Sequence, residues 1–302
     1  MPCSKAPTTY DEQLVILKAR GLAIPNESFA QHCLTHHNYY RLCAYRLPFT
    51  APGNTDQFQP GATFEQLWAI YDFDRRLRYL LSEALKRLEI SVRARWAYVL
   101  GHAYGAQAFE DPAVFRNAQR HQDSLSKLDE ELSRSREPFI AHYRSKYGQS
   151  RPPIWASCEV MSFGLLSRMY ENSGTFADQK AIAGTYSLQP DTLKSLLEHA
   201  SYIRNLCAHH SQVWSRRFTV KVTLPKTLPQ KIDASFHHAE RQRIYNTLIL
   251  LAHTSAVIEP KNDWAARLVS HLRTLEPNLL PHMGFPSDWR HRPLWRQLLL
   301  GP

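Results

Sequence analysis

Three side chains of complementary chemistry stand close together at Arg204, Asn205 and His209, in a string Arg-Asn-Leu-Cys-Ala-His that runs on into His210. A guanidinium stays charged and forks onto phosphate oxygens. An imidazole accepts or gives a proton near neutral pH. A carboxamide can orient either a substrate or the imidazole ring. Together these groups suffice for RNA cleavage without a metal. The 2′-hydroxyl attacks the adjacent phosphate, the histidine moves a proton, and the arginine stabilises charge on the five-coordinate phosphorus. On spacing alone a structural role takes precedence, because cations at a helix C-terminus are common and favour the negative end of its dipole.

A helix must position these groups, and the residues before them have its period. Leu193, Leu196, Leu197, Ala200, Ile203 and Cys207 fall three or four apart and form one apolar stripe. Pro190 suits the first turn, where its missing N–H would have had no partner. Glu198, Tyr202, Asn205 and His209 recur at helical spacing on a second, polar face. Arg204 falls between the two faces, with an arm long enough to swing toward Asn205 and His209.

The form Arg-Asn-x-x-x-His resembles the arginine-to-histidine signature of HEPN-superfamily ribonucleases. The fuller string Arg204 to His210, followed by Trp214, is similar to the Abi family of phage abortive-infection proteins, in its AbiD/AbiF-like group. Other words match the same family: Arg20-Gly21-Leu22, Tyr39-Tyr40-Arg41-Leu42, Pro48-Phe49, Tyr71 to Arg78, Leu88 to Arg93, Trp155 to Tyr170, and Met283-Gly284-Phe285-Pro286. The likeness therefore runs from about Tyr10 to Trp295. Gln212 and Ser215 depart from it, standing where the family has an arginine and an asparagine.

Composition sets the class. The 302 residues are 43% apolar, with 7 Trp, 14 Tyr and 13 Phe, enough for a substantial core. Only 11 glycines and few alternating β-branched runs point to a mostly helical fold. A net charge of +10 and a pI near 9.4 favour an anionic partner, nucleic acid ahead of a membrane surface. Five cysteines without a C-x-x-C pair suit reduced thiols in the cytoplasm. The polar Met1–Tyr10 stretch lacks the apolar run of a secretory signal, and no segment approaches the length of a membrane span. Neither GxGxxG nor GxxxxGK[ST] occurs, so no phosphate loop supports nucleotide transfer. Neither H-E-x-x-H nor C-x2-C occurs, and the adjacent pairs His36/His37, His209/His210 and His237/His238 diverge on a helix, so no metal ligands are assigned.

Along the chain, residues 1–62 form an N-terminal helical and aromatic segment. A capping box at Thr9/Glu12 opens its first helix, and Thr50–Gly61 reads as a loop. Residues 63–216 form the helical core. Thr63 and Gln66 cap its longest helix, which holds seven Lys/Arg against three Asp/Glu between Asp74 and Arg95. Glu83/Arg87 and Glu89/Arg93 are ion pairs one turn apart. Arg75, Arg76, Arg78 and Arg93 are either a salt-bridged face or a stripe that guides RNA phosphates. A polar, charge-alternating arm covers about 111–150. Glu159 lies in an apolar stretch and needs a partner, with Arg204, His209 or an N–H elsewhere as candidates. Residues 217–302 form a helical C-terminal extension that includes a short strand at Phe218–Leu224.

The expected protein is mainly α, and the resemblance makes it a HEPN-like helical bundle with helical N- and C-terminal extensions. It implies a metal-independent, cofactor-free endoribonuclease of phage defence, a cytoplasmic toxin. His209 would move the proton, Arg204 stabilise the phosphorane, and Asn205 orient, with Glu159, Tyr202 and His210 in support. HEPN nucleases usually pair two motifs in one cleft, so one motif per chain implies a homodimer. The alternative is a non-catalytic RNA-binding module, held in some relatives by a small non-coding RNA.

Overall fold

The computed structural model describes residues 6–148, 151–222 and 230–300. The fold is mainly α. In order come α1 (Tyr10–Ala19), α2 (Glu27–His36), α3 (Tyr39–Cys43), the strands β1 (Thr50–Ala51) and β2 (Asn54–Phe58), then α4 (Phe64–Tyr104). Next are α5 (Ala118–Arg134), α6 (Pro138–Tyr147), α7 (Ile154–Val160), α8 (Phe163–Asn172), α9 (Phe176–Gly184) and α10 (Pro190–Ala208). The last helices are α11 (Gln230–Asp233), α12 (Ile244–Ile258), α13 (Trp264–Leu272) and α14 (Pro293–Leu300).

The residues form two compact units, one running up to Leu77 with His271–Leu279, the other Arg78–Ser270 with Leu280 onward. In the first, Thr9 and Glu12 cap α1 reciprocally, and Thr63 and Gln66 do the same for α4. Its core gathers Leu14, Leu17, Cys33, Leu34, Leu42, Phe64 and Leu67. Tyr45 is buried and donates its hydroxyl to the buried Asp74 carboxylate at 2.6 Å, whereas Tyr40 of the same aromatic word is exposed. The expected loop at 50–61 contains an antiparallel hairpin, β1 with β2. Pro52 and Gly53 make its turn, with Gly53 at φ +77°.

In the second unit α10 packs on α8 and α9, and α5 packs on α7 and α8. The arm expected over 111–150 is thus folded onto the core: α5 is polar overall but buries Leu125, Leu128 and Leu132 in a narrow stripe. The Trp155–Tyr170 stretch is two helices. Met161 is extended, Ser162 caps α8, and its N–H donates to Glu131 at 2.8 Å. The short strand expected from Phe218 is not formed over Phe218–Val222, and Thr223 and Leu224 lie outside the described residues. There Phe218 N–H donates to the Gln242 carbonyl and the Val220 carbonyl accepts from His199, so no ladder forms.

The closing segment folds onto α12. Phe285, Trp289 and Trp295 are buried around Tyr245. Arg243 Nη1 donates to the carbonyls of Ser215 and His282, tying this segment to the turn after α10. Gly284 permits the approach: it sits at φ +87°, and a Cβ there would be 2.6 Å from Arg243 Cβ.

Candidate active site

α10 forms as its pattern predicts. Pro190 stands in the first turn, and Leu193, Leu196, Leu197, Ala200, Ile203 and Cys207 are all buried. His199, on the same helix, is buried too. The Val220 carbonyl can only accept, so His199 Nδ1 donates to it at 2.8 Å, and Nε2 accepts the Thr247 hydroxyl at 2.7 Å. Burial pushes this imidazole down to about 4, so it is neutral and structural.

The helix ends in a Schellman motif. His209 is the C-cap, His210 N–H donates to the Cys207 carbonyl at 3.1 Å, and Ser211 N–H to the Leu206 carbonyl at 2.8 Å. The position after the cap normally takes glycine; here His210 occupies it at φ +54°. The left-handed turn holds both histidines exposed at the helix end.

Arg204 and Asn205 are exposed one turn earlier, and Arg204 Nη1 donates to Asn205 Oδ1 at 3.3 Å. Arg204 Nε also lies 4.0 Å from Glu89 Oε2, a carboxylate on α4 that is only 10% exposed. Glu89 is bonded to Arg93 at 2.5 Å, and Arg93 in turn donates to the Met161 carbonyl at 2.7 Å. One buried carboxylate therefore faces two guanidiniums and pins the second through the break between α7 and α8.

Arg204 lines a cleft of about 680 Å³ with Glu89, Arg93, Glu131, Arg134, Arg136 and Glu159 among its other walls. Asn205 and His209 do not line it. Arg204 and Asn205 are thus brought together, while His209 stands outside the cavity that Arg204 faces. Tyr202 is half-buried with its ring edge against Phe218.

Several expectations change at this point. Glu159 is exposed at the cleft wall, not buried, and the buried acid facing Arg204 is Glu89. Arg78 is 5% exposed and reaches toward the Ser211 carbonyl, so it cannot meet an RNA phosphate. Arg93 lines the cleft half-buried, with its guanidinium bonded to Glu89 and the Met161 carbonyl. Arg75 and Arg76 remain exposed, both paired with Asp72, at 2.5 and 2.7 Å. Arg134 and Arg136, exposed on the cleft, were not singled out from sequence. Their signal was the Arg-Ser-Arg string just before the break at Pro138. Among the described residues no three His, Cys, Asp or Glu side chains gather as a metal site, and no helix is long and apolar enough to cross a membrane.

A family model described as Abi-like protein matches residues 32–215, from within α2 through the α10 motif to just beyond Trp214. No curated protein and no solved structure matches the chain. The family match takes in more than half of the 302 residues, and the chain belongs to the Abi-like protein family.

Proposed function

We propose that this Abi-like protein is a metal-independent endoribonuclease of HEPN type that acts in phage defence by abortive infection. The observation that carries this reading is the exposed Arg204, aimed by Glu89 and bonded to Asn205, one turn before an exposed imidazole at the C-cap of the same helix. Arg204 binds the scissile phosphate and offsets the charge that grows on its oxygens. His209 takes the 2′-hydroxyl proton or returns one to the leaving 5′-oxygen. Asn205 holds the guanidinium in register.

Within one chain His209 is absent from the walls of the Arg204 cleft. A composite site, with His209 of a second copy completing the cleft of the first, resolves that separation and makes the active form a homodimer. The same separation favours the second reading, an RNA-binding module in which Arg204, Arg134 and Arg136 grip phosphates and no bond is cut.

The purified protein with end-labelled RNA in excess EDTA decides between them. The nuclease leaves 2′,3′-cyclic phosphate ends and spares RNA whose 2′-hydroxyls are replaced by hydrogen. RNA bound but uncut under all conditions establishes the binding module. Cutting abolished by EDTA and restored by a divalent ion refutes the metal-independent mechanism.

A further inference from the structure

Glu159 lines two cavities at once. One is the Arg204 cleft; the other is a groove of about 530 Å³ between α4 and α7. The groove's α4 wall is Ala94, Ala97, Tyr98, Gly101 and His102, and its α7 wall is Trp155, Cys158 and Glu159. Its volume lies within the range of small-molecule sites.

Its shape follows from small residues opposite large rings. Ala94, Ala97 and Gly101 share one face of α4, so the helix backbone lies close to the groove. A Cβ at Gly101 would meet Ile154 Cγ2 at 3.3 Å and a ring carbon of Trp155 at 4.0 Å, so the indole already lies against that backbone. Trp155 is nonetheless 53% exposed, and its Nε1 donates to the Tyr143 hydroxyl at 3.4 Å, which holds the ring in place. Tyr98 is 56% exposed, ordered by its ring contact with His102 at 4.0 Å and by Arg95 over its face at 5.3 Å. Two exposed rings, with one carboxylate on the same groove's wall, suit a flat, polar-edged ligand.

We infer that this groove is a nucleobase pocket that reads guanine next to the phosphate held at Arg204. This rests on the ribonuclease reading of the Arg204 cleft. An unstacked RNA base lies on the Trp155 indole, as single-stranded bases do on aromatic platforms. Glu159, shared by the two cavities, then faces the base edge. A carboxylate only accepts hydrogen bonds, through two oxygens. Guanine presents N1–H and N2–H side by side on its Watson–Crick edge and so satisfies both; adenine, cytosine and uracil each offer one donor position there. Arg134, Arg136 and Arg204 supply cations for the strand's phosphates in the adjoining cleft.

Two measurements separate this pocket from the nuclease. Guanosine 5′-monophosphate, titrated into the wild-type protein, is expected to quench tryptophan fluorescence at lower concentration than the adenosine, cytidine and uridine monophosphates. Trp155→Phe, which retains a stacking ring, removes that quenching while keeping affinity in competition. Trp155→Ala and Tyr98→Ala each weaken binding by roughly 10- to 100-fold. Glu159→Gln brings guanosine and adenosine monophosphates to near parity. In cleavage mapping, wild-type cuts flank guanine and Glu159→Gln cuts do not. Selective guanosine binding with no RNA cutting keeps the pocket and rejects the nuclease. RNA cutting with no guanine preference, or with one that survives both Trp155→Ala and Glu159→Gln, rejects the pocket and keeps the nuclease.

Discussion

Glu89 Oε2 lies 4.0 Å from Arg204 Nε, while the other oxygen of the same carboxylate is bonded to Arg93 at 2.5 Å. Arg204 therefore leans on a buried anion that is itself fixed to the α7–α8 break through Arg93 and the Met161 carbonyl. Such an arrangement aims the guanidinium without neutralising it, because the Glu89 charge is already shared.

Glu89→Gln tests that relationship. It keeps the side chain's shape and removes the charge that draws Arg204 toward α4. Misplacing a positioned group commonly costs on the order of 100-fold in rate, so single-turnover cutting should fall by about 10- to 100-fold. Overall RNA affinity should hold or rise, since a negative charge has left the cleft. A variant that cuts at the wild-type rate shows that Arg204 needs no such support. Glu89→Ala should be the harsher change, costing on the order of 3 kcal/mol of folding stability by stranding the Arg93 charge at a site where it is 12% exposed.

The C-terminal turn of α10 carries local strain. His210 occupies a left-handed position at φ +54° that costs a side-chain-bearing residue about 1 kcal/mol. His210→Gly should raise stability by roughly that amount and shift the melting midpoint up by about 2 °C. A lowered midpoint would mean that the His210 side chain stabilises the fold by more than the strain costs.

Acid should weaken the second unit through His199. In the folded chain burial lowers this imidazole from 6.5 to about 4, while in the unfolded chain it titrates normally. The unfolded state therefore binds the proton first. Stability is fully present above about pH 6.5 and declines as pH falls toward 4, by about 3 kcal/mol in all from this one group. Urea unfolding at a series of pH values checks this, with His199→Gln expected to flatten the slope between pH 6.5 and 4. A slope that persists unchanged in the variant assigns the acid sensitivity to other groups.

Much of this architecture was legible because it is local. The α10 stripe, the Pro190 start and the Thr9 and Thr63 caps each depend on residues within a turn or two of one another, and they form as read. Glu89 was visible as a partner of Arg93 for the same reason, at helical spacing on α4. Its second relationship, with Arg204, joins residues far apart in the sequence and needs α4 and α10 side by side, so pattern pointed to Glu159 in its place. Arg78, read as a phosphate contact, is buried for a related reason. A run of cations shows its charge in the sequence but not which members the core takes in. Leucine spacing within α5 was present but diluted by charge, and that hid a core helix behind the look of an arm.

On the proposed mechanism His209 does chemistry and does not merely bind. Losing a general acid or base costs about 10²- to 10⁴-fold in rate, whereas losing a phosphate contact weakens binding and lowers its salt dependence. The most direct measurement pairs RNA cutting with RNA affinity in His209→Ala, with Arg204→Ala alongside. His209→Ala is expected to abolish cutting while its dissociation constant stays near wild type, and Arg204→Ala to damage both. Full cutting by His209→Ala, or a loss of cutting that tracks an equal loss of affinity, contradicts that mechanism.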